Sequence, residues 1–218
     1  MMTPRLSPAA ALAAVDAIRA GFAARLEAGR ETPAIAAELR KVLDLLATVD
    51  FAHADEKHLQ ASAHPVIRQL RQVGEQGGAS ATSTTAAIFQ AFLPHLDALP
   101  WRYSYTPRAN APDIGERMAW AELVGPIAPF HSDAVCLGLT AIGSHLLYPA
   151  HKHPAVETYL VVSGTANWTA GGITRARLPG ELILHPSNIV HAMEAGDAPL
   201  LAVYAWTGDV GTLSTYVD

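Results

Sequence analysis

The feature that most constrains the fold is a change of pattern at Pro100. Residues 1–99 are rich in Ala and Leu and read in helical periods. Residues 100–218 break into short Val/Ile/Leu/Tyr/Trp-rich runs separated by Gly and Pro turns. In the first part, Ser7 and Pro8 open a helix that Gly29 closes. A serine oxygen can accept from a free N–H of the first turn, proline lacks the N–H that would go unsatisfied, and glycine can turn left-handed. Thr32 and Pro33 repeat the scheme, and Ile35, Leu39, Val42, Leu43 and Leu46 recur at helical spacing. The pattern predicts a third helix near Asp55–Val73, a loop over 74–80 and a fourth helix over Thr84–Leu96. In the second part it predicts strands at Trp101–Tyr105, Arg117–Leu123, Ala134–Ile142, Glu157–Ser163, Thr165–Thr169, Ile173–Leu178, Glu181–Leu184, Ile189–Glu194 and Leu200–Trp206. The expected class is therefore α+β: a helical portion (1–99) followed by an all-β sandwich or barrel (100–218). The break at Pro100 is compatible with two layers of one unit.

Several function classes are disfavoured by bulk properties. Half of the 218 residues are hydrophobic, enough for a sizeable core. The net charge is −5 and no Lys/Arg-rich run appears, which argues against nucleic acid or an anionic membrane as partner. No stretch has the uncharged apolar length that spans a bilayer. The first twenty residues look superficially like a signal peptide, but Asp16, Arg19 and Arg25 continue an amphipathic helical pattern instead. The one cysteine, Cys136, lies in an apolar run and reads as a buried small hydrophobe. With no disulfide possible within the chain, a reducing cytoplasm is the expected location.

The densest chemistry is in "YPAHKHPAVETYLVVSG", Tyr148 to Gly164. His151 and His153 are two apart, so an extended backbone puts both on one face. Glu157 and Tyr159 likewise share a face of the following strand, with Thr158, Leu160 and Val162 on the other. Neutral imidazole and carboxylate suit a divalent transition metal: zinc, iron, manganese, cobalt or nickel. A His-x-His pair alone is more often an exposed strand end. A second element downstream, "GELILHPSNIVH" from Gly180 to His191, changes that balance. It reads as a strand, a tight turn at Pro186–Asn188, and a strand carrying His191.

Together the two stretches resemble the two motifs of the cupin superfamily. His151, His153, Glu157 and Gly164 keep every spacing of the first; Gly180, Pro186 and His191 match the second. Asn188 replaces the turn glycine, a mild departure, since Asn also tolerates positive φ. Ala195 stands where the family often has asparagine, and Gly143 is displaced from the glycine before the first pair. The resemblance covers roughly Ala134–Trp206 and implies a double-stranded β-barrel with a divalent metal inside.

Tyr148 and Tyr159 sharpen this. The pattern Tyr148, His151, His153, Glu157, Tyr159 and His191 is similar to that of the cupin-type dimethylsulfoniopropionate (DMSP) lyases, bacterial enzymes with a helical N-terminal portion before the barrel. The resemblance implies His153, Glu157 and His191 as metal ligands, His151 as ligand or polar neighbour, and Tyr159 as close or direct ligand and catalytic base. It implies substrate contact for Tyr148. DMSP carries a carboxylate, a methylene beside it and a sulfonium on the next carbon. Elimination to dimethyl sulfide and acrylate needs a base at the methylene and stabilisation of the carboxylate, the second being Lewis-acid work. The sulfonium calls for ring faces. Trp101, Trp120, Trp168, Trp206 and Tyr204 are candidates, with Trp168, Tyr204 and Trp206 foremost. For each tryptophan a core role competes.

Of the other histidines, His53, His58, His64 and His95 read as surface or helix-end residues and His131 as a loop residue. His185, before Pro186, reads as structural or as bordering the metal pocket. Two alternatives stay open: another cupin metalloenzyme, such as an iron dioxygenase or isomerase, and a non-enzymatic small-ligand cupin. A homodimer is the expectation by fold analogy.

Overall fold

The computed structural model describes residues 5–75, 83–104 and 106–217. Helix α1 (Pro8–Ala28) starts and stops where its end signals stand. Ser7 accepts from the Ala10 N–H, and Gly29 closes the helix at φ = 62°. Helix α2 (Pro33–Leu46) is capped by Thr32 in the same way. It buries Leu39, Val42 and Leu46, one apolar stripe; each such side chain contributes roughly 1.5–3 kcal/mol by leaving water. The expected third helix is shorter than its pattern. A single 3-10 turn, Glu56–Leu59, is followed by extended chain, and α3 (Val66–Glu75) begins only after Pro65. Pro65 would have no N–H to give to a helix running through it. Helix α4 (Ser83–Phe92) passes into a 3-10 segment, Leu93–Ala98. Most of the expected loop over 74–80 lies outside the described residues.

The second part begins with a four-residue helix, α5 (Ile114–Arg117), and then forms two sheets. One has six strands in the order β2 (Phe130–His131), β1 (Met118–Gly125), β3 (Val135–Ile142), β10 (Leu200–Thr207), β5 (Val156–Ser163) and β8 (Leu182–His185). The other has five: β11 (Thr215–Tyr216), β4 (Leu147–Lys152), β9 (His191–Ala195), β6 (Ala166–Ala170) and β7 (Ile173–Arg177). Except for β1 and β2 the pairings are antiparallel. This is the cupin double-stranded β-barrel following an N-terminal helical layer. The expected strand at Trp101–Tyr105 is reduced to one bridge, Arg102 with Trp120, and Tyr105 lies outside the described residues. Strand β4 was not expected; it carries His151.

Most of the six-stranded sheet is buried on both faces, and the alternation along its strands shows why. Val135, Leu137, Leu139 and Ala141 of β3, with Leu160 and Val162 of β5 and Leu201, Val203 and Ala205 of β10, share one core with the helices. The alternate residues Cys136, Ile142, Tyr159, Val161, Ala202 and Tyr204 face the barrel interior. Helices α2 and α4 pack directly on this sheet. Lys41 of α2 donates to Thr207 Oγ1 at 2.9 Å. None of the described helices is long and apolar enough to cross a membrane.

Candidate metal centre and cavity

The site is assembled from both sheets. In the six-stranded sheet, Glu157 of β5 is flanked by its neighbours in the ladder, Trp206 of β10 and His185 of β8. Trp206 Nε1 donates to Glu157 Oε1 at 2.6 Å, and His185 Nδ1 lies 3.2 Å from Oε2. From the five-stranded sheet come His151 of β4 and His191 of β9, which stand opposite each other in register. His153 follows at the end of β4. Two turn residues lock this geometry. Asn188 adopts φ = 60° and its N–H donates to the His153 carbonyl at 2.8 Å. Gly164 ends β5 at φ = 75°, where a Cβ would stand 2.3 Å from the Pro199 carbonyl oxygen, so only glycine fits.

His153, Glu157 and His191 are buried, and their potential ligand atoms all lie within 4.8 Å of one another. The hydrogen bonds around them fit a cation. His151 Nδ1 meets the Pro149 carbonyl at 2.8 Å, His153 Nδ1 that of Ala155 at 3.1 Å, and His191 Nδ1 that of Ile189 at 3.0 Å. A carbonyl only accepts, so each Nδ1 carries a proton, and in its neutral form each ring presents a bare Nε2. The His153 and His191 Nε2 atoms then face Glu157 Oε2 at 3.0 and 3.4 Å. The buried His191 Nε2 has no hydrogen-bond partner among the described residues. Lone pairs aimed at a carboxylate repel it unless positive charge stands between them. A divalent ion would supply that charge, and rings held through Nδ1 by carbonyls are the usual outer shell of such a site. Where protons on these rings supply the positive charge instead, hydrogen bonds from His153, His185 and His191 outweigh the burial that pushes the Glu157 carboxyl up and hold it well below the usual range. Burial is the main cause that drives His151 well below its usual value, keeping it a neutral ring.

His151 stands just outside the triad: its ring centroid is 4.0 Å from that of His191, and Tyr148 stacks on it at 3.9 Å. Tyr159, two residues along β5 from Glu157 on the same face, is buried beside Trp168, whose ring lies 4.9 Å away. A cavity of about 320 Å³ opens in front of these groups. His151, His153, Glu157, Tyr159, Tyr148, Tyr204 and Trp206 line it; Trp168 and His191 do not. Trp168 instead sits behind Tyr159, and its Nε1 donates to His185 Nε2 at 3.0 Å. His185 therefore belongs to the centre, holding Glu157, though its sequence context left it between two readings. Trp101 is buried in the core with the helices. His64 Nε2 meets the Gly115 carbonyl at 3.0 Å, and His131 is exposed on β2.

Comparison with known proteins places the chain. The dimethylsulfoniopropionate lyase family model matches residues 35–202. The chain belongs to that family. It is 35% identical over 132 residues to dimethylsulfoniopropionate lyase DddQ of Ruegeria pomeroyi, a match covering 60% of this chain and 66% of that protein, just under two thirds of its length. It is 28% identical over 174 residues to the putative dimethylsulfoniopropionate lyase DddL of Cereibacter sphaeroides, covering 78% of this chain and 70% of that one. The crystal structure of DddQ from Ruegeria pomeroyi superposes with a TM-score of 0.71 at 26% identity, over 91% of this chain and 95% of that one. A chain from the crystal structures of the DMSP lyases RdDddP and RnDddQII gives 0.74 at 25% identity, over 97% and 100%. The DMSP lyase family is one of carbon–sulfur lyases, and its likeness here spans the helical layer as well as the barrel.

Proposed function

We propose that this protein cleaves DMSP to dimethyl sulfide and acrylate by a metal-dependent β-elimination. The observation that carries the reading is the set of bare imidazole nitrogens turned on Glu157 beside a tyrosine-lined cavity. His153, Glu157 and His191 would hold the metal, with His151 and Tyr159 adjoining. A bound divalent transition metal would supply Lewis-acid stabilisation of the substrate carboxylate and favour the phenolate of Tyr159.

The chain's own groups account for the rest. Tyr159 takes the proton from the carbon next to the carboxylate. The electron pair left there forms the carbon–carbon double bond, and the carbon–sulfur bond breaks. Sulfur leaves as neutral dimethyl sulfide, so no general acid is needed. Tyr148, Tyr204 and Trp206 surround the substrate, and the apolar wall limits water. Trp206 also holds Glu157 Oε1. A dioxygenase would have no evident use for a phenol in this position, and family membership favours the lyase reading. The test is headspace measurement of dimethyl sulfide from purified protein given DMSP and, in turn, zinc, iron, manganese, cobalt or nickel. No release with any of them would overturn the reading.

A further inference from the structure

The cavity has a second polar wall, which the elimination does not use. It is built on β1. Glu122 is only 6% exposed there, in a strand whose neighbouring residues, Ala121, Leu123 and Val124, are buried and apolar. Strand β1 slips register against β3 between Glu122 and Val124, a bulge of the kind that re-aims a side chain. The carboxylate is then held in place: Oε1 accepts the Ile127 N–H at 3.2 Å. Gly125 permits this approach, since a Cβ there would stand 2.4 Å from Oε1.

Glu122 shares a ladder row with the proposed base. The row runs Glu122, Gly138, Tyr204, Tyr159 across β1, β3, β10 and β5. Three strand spacings separate its ends, about 14 Å between Cα atoms, and both side chains reach inward from there. Gly138 leaves the middle open, and the Tyr204 ring fills the place a Cβ would take, 2.7 Å from it. Trp120, two residues along β1 from Glu122 on the same face, lines the same wall.

The charge of the cavity is one-sided. Glu122 and Glu157 are its carboxyls, and no Lys or Arg is among the described residues that line it. Arg102 stands behind Trp120, 5.1 Å from the ring centroid, and donates to the Ile127 carbonyl at 3.2 Å. It reaches Glu122 only through space. Its near partners are the Ile127 N–H and the Cys136 thiol, both neutral, so burial dominates and pushes the Glu122 carboxyl up to about 7. A buried carboxylate with so little compensation lacks a cation.

We propose that Glu122, with the ring faces of Trp120 and Tyr204, forms the onium subsite of this cavity, the counter-charge for a small sulfonium or quaternary ammonium group. The inference rests on the DMSP reading for the identity of the natural ligand. A zwitterion would then be held at both poles, its carboxylate at the histidine end and its cation at Glu122. This makes Glu122 the residue that selects a positively charged leaving group over a neutral thioether of similar shape.

The experiment is calorimetric binding of two isosteres to the metal-loaded protein, with the mixture checked for acrylate so that binding heat is separated from any turnover. One is β-trimethylammoniopropionate; the other is β-tert-butylpropionate, the same shape without the charge. Wild type should bind the cationic isostere roughly tenfold more tightly. Glu122→Gln should abolish that preference while still binding the neutral isostere, which also shows that the variant is folded. Glu122→Asp, which keeps the charge but withdraws it, should reduce the preference and covers the case in which the glutamine variant does not fold. Equal binding of the two isosteres by wild type, or a preference unchanged in both variants, would overturn the proposal. Dimethyl sulfide release without a Glu122-dependent preference sinks the subsite alone. A Glu122-dependent preference without dimethyl sulfide release sinks the lyase reading and leaves the subsite standing.

Discussion

Trp168 Nε1 donates to His185 Nε2 across 3.0 Å, and that bond decides which proton Glu157 receives. With Nε2 occupied as an acceptor, the His185 proton must sit on Nδ1, which faces Glu157 Oε2 at 3.2 Å. Burial lowers the proton affinity of His185 further, so the ring stays neutral. A tryptophan on one sheet thus orients a carboxylate on the other. Trp168→Phe keeps the ring contact with Tyr159 but frees His185 to take either tautomer. Metal affinity, measured by competition with a chelator, should weaken roughly 10–100-fold. Unchanged affinity would show that His185 does not position Glu157.

Tyr159→Phe removes the proposed base while keeping the ring that packs on Trp168. Metal content by elemental analysis should stay close to wild type, and dimethyl sulfide release should fall by roughly 100-fold or more. Turnover near wild type would end the role of Tyr159 as base.

His191→Ala removes the one buried nitrogen of the triad that has no hydrogen-bond partner among the described residues. Metal stoichiometry should drop, and dimethyl sulfide release with it. Full stoichiometry in the variant would contradict the ligand set.

Glu122 gives a stability prediction that is independent of any ligand. Its carboxyl titrates at about 7 against a reference of 4.5, burial being the main cause. Because the folded value lies above the unfolded one, the folded state binds this proton more tightly. The resulting stabilisation is full below about pH 4.5 and is lost as pH rises to about 7. The difference corresponds to about 3 kcal/mol. Glu122→Gln, which cannot ionise, should therefore melt higher than wild type near pH 8, by several degrees for a chain of this size. The gap should close towards about pH 4.5. Parallel melting curves at both pH values would show that Glu122 ionises in the fold without that cost.

The parts of this protein that were legible in its sequence are those fixed by local rules. Ser7, Pro8 and Gly29 bound α1 because caps act within one turn. The spacing of His151, His153, Glu157 and His191 marked the triad because a strand's alternation puts such residues on one face. Strand β4 was hidden for the same kind of reason. Pro149 interrupts it, its pairing shifts register between Tyr148 and His151, and its inward residues are Tyr and His, so no apolar alternation appears. The Trp101–Tyr105 segment had the right composition, but apart from the Arg102–Trp120 bridge its described residues found no strand partner. The part played by His185 needed Trp168 from the opposite sheet, a contact no spacing encodes. Glu122 did leave a signal, a lone acidic residue inside the apolar run of β1, whose meaning depends on the cavity.

The triad draws Glu157 from the six-stranded sheet and His191 from the five-stranded one. An ion shared by them would therefore act as a rivet through the barrel. The wall bearing Glu157 is braced from outside by the helices, whereas β7, at the far edge of the other wall, is largely exposed. Losing the ion would free the unbraced wall first. Amide exchange should then quicken in β4 and β9 on chelation while β5 and β10 stay protected, so that the metal's departure is felt as a loosening of one half of the barrel.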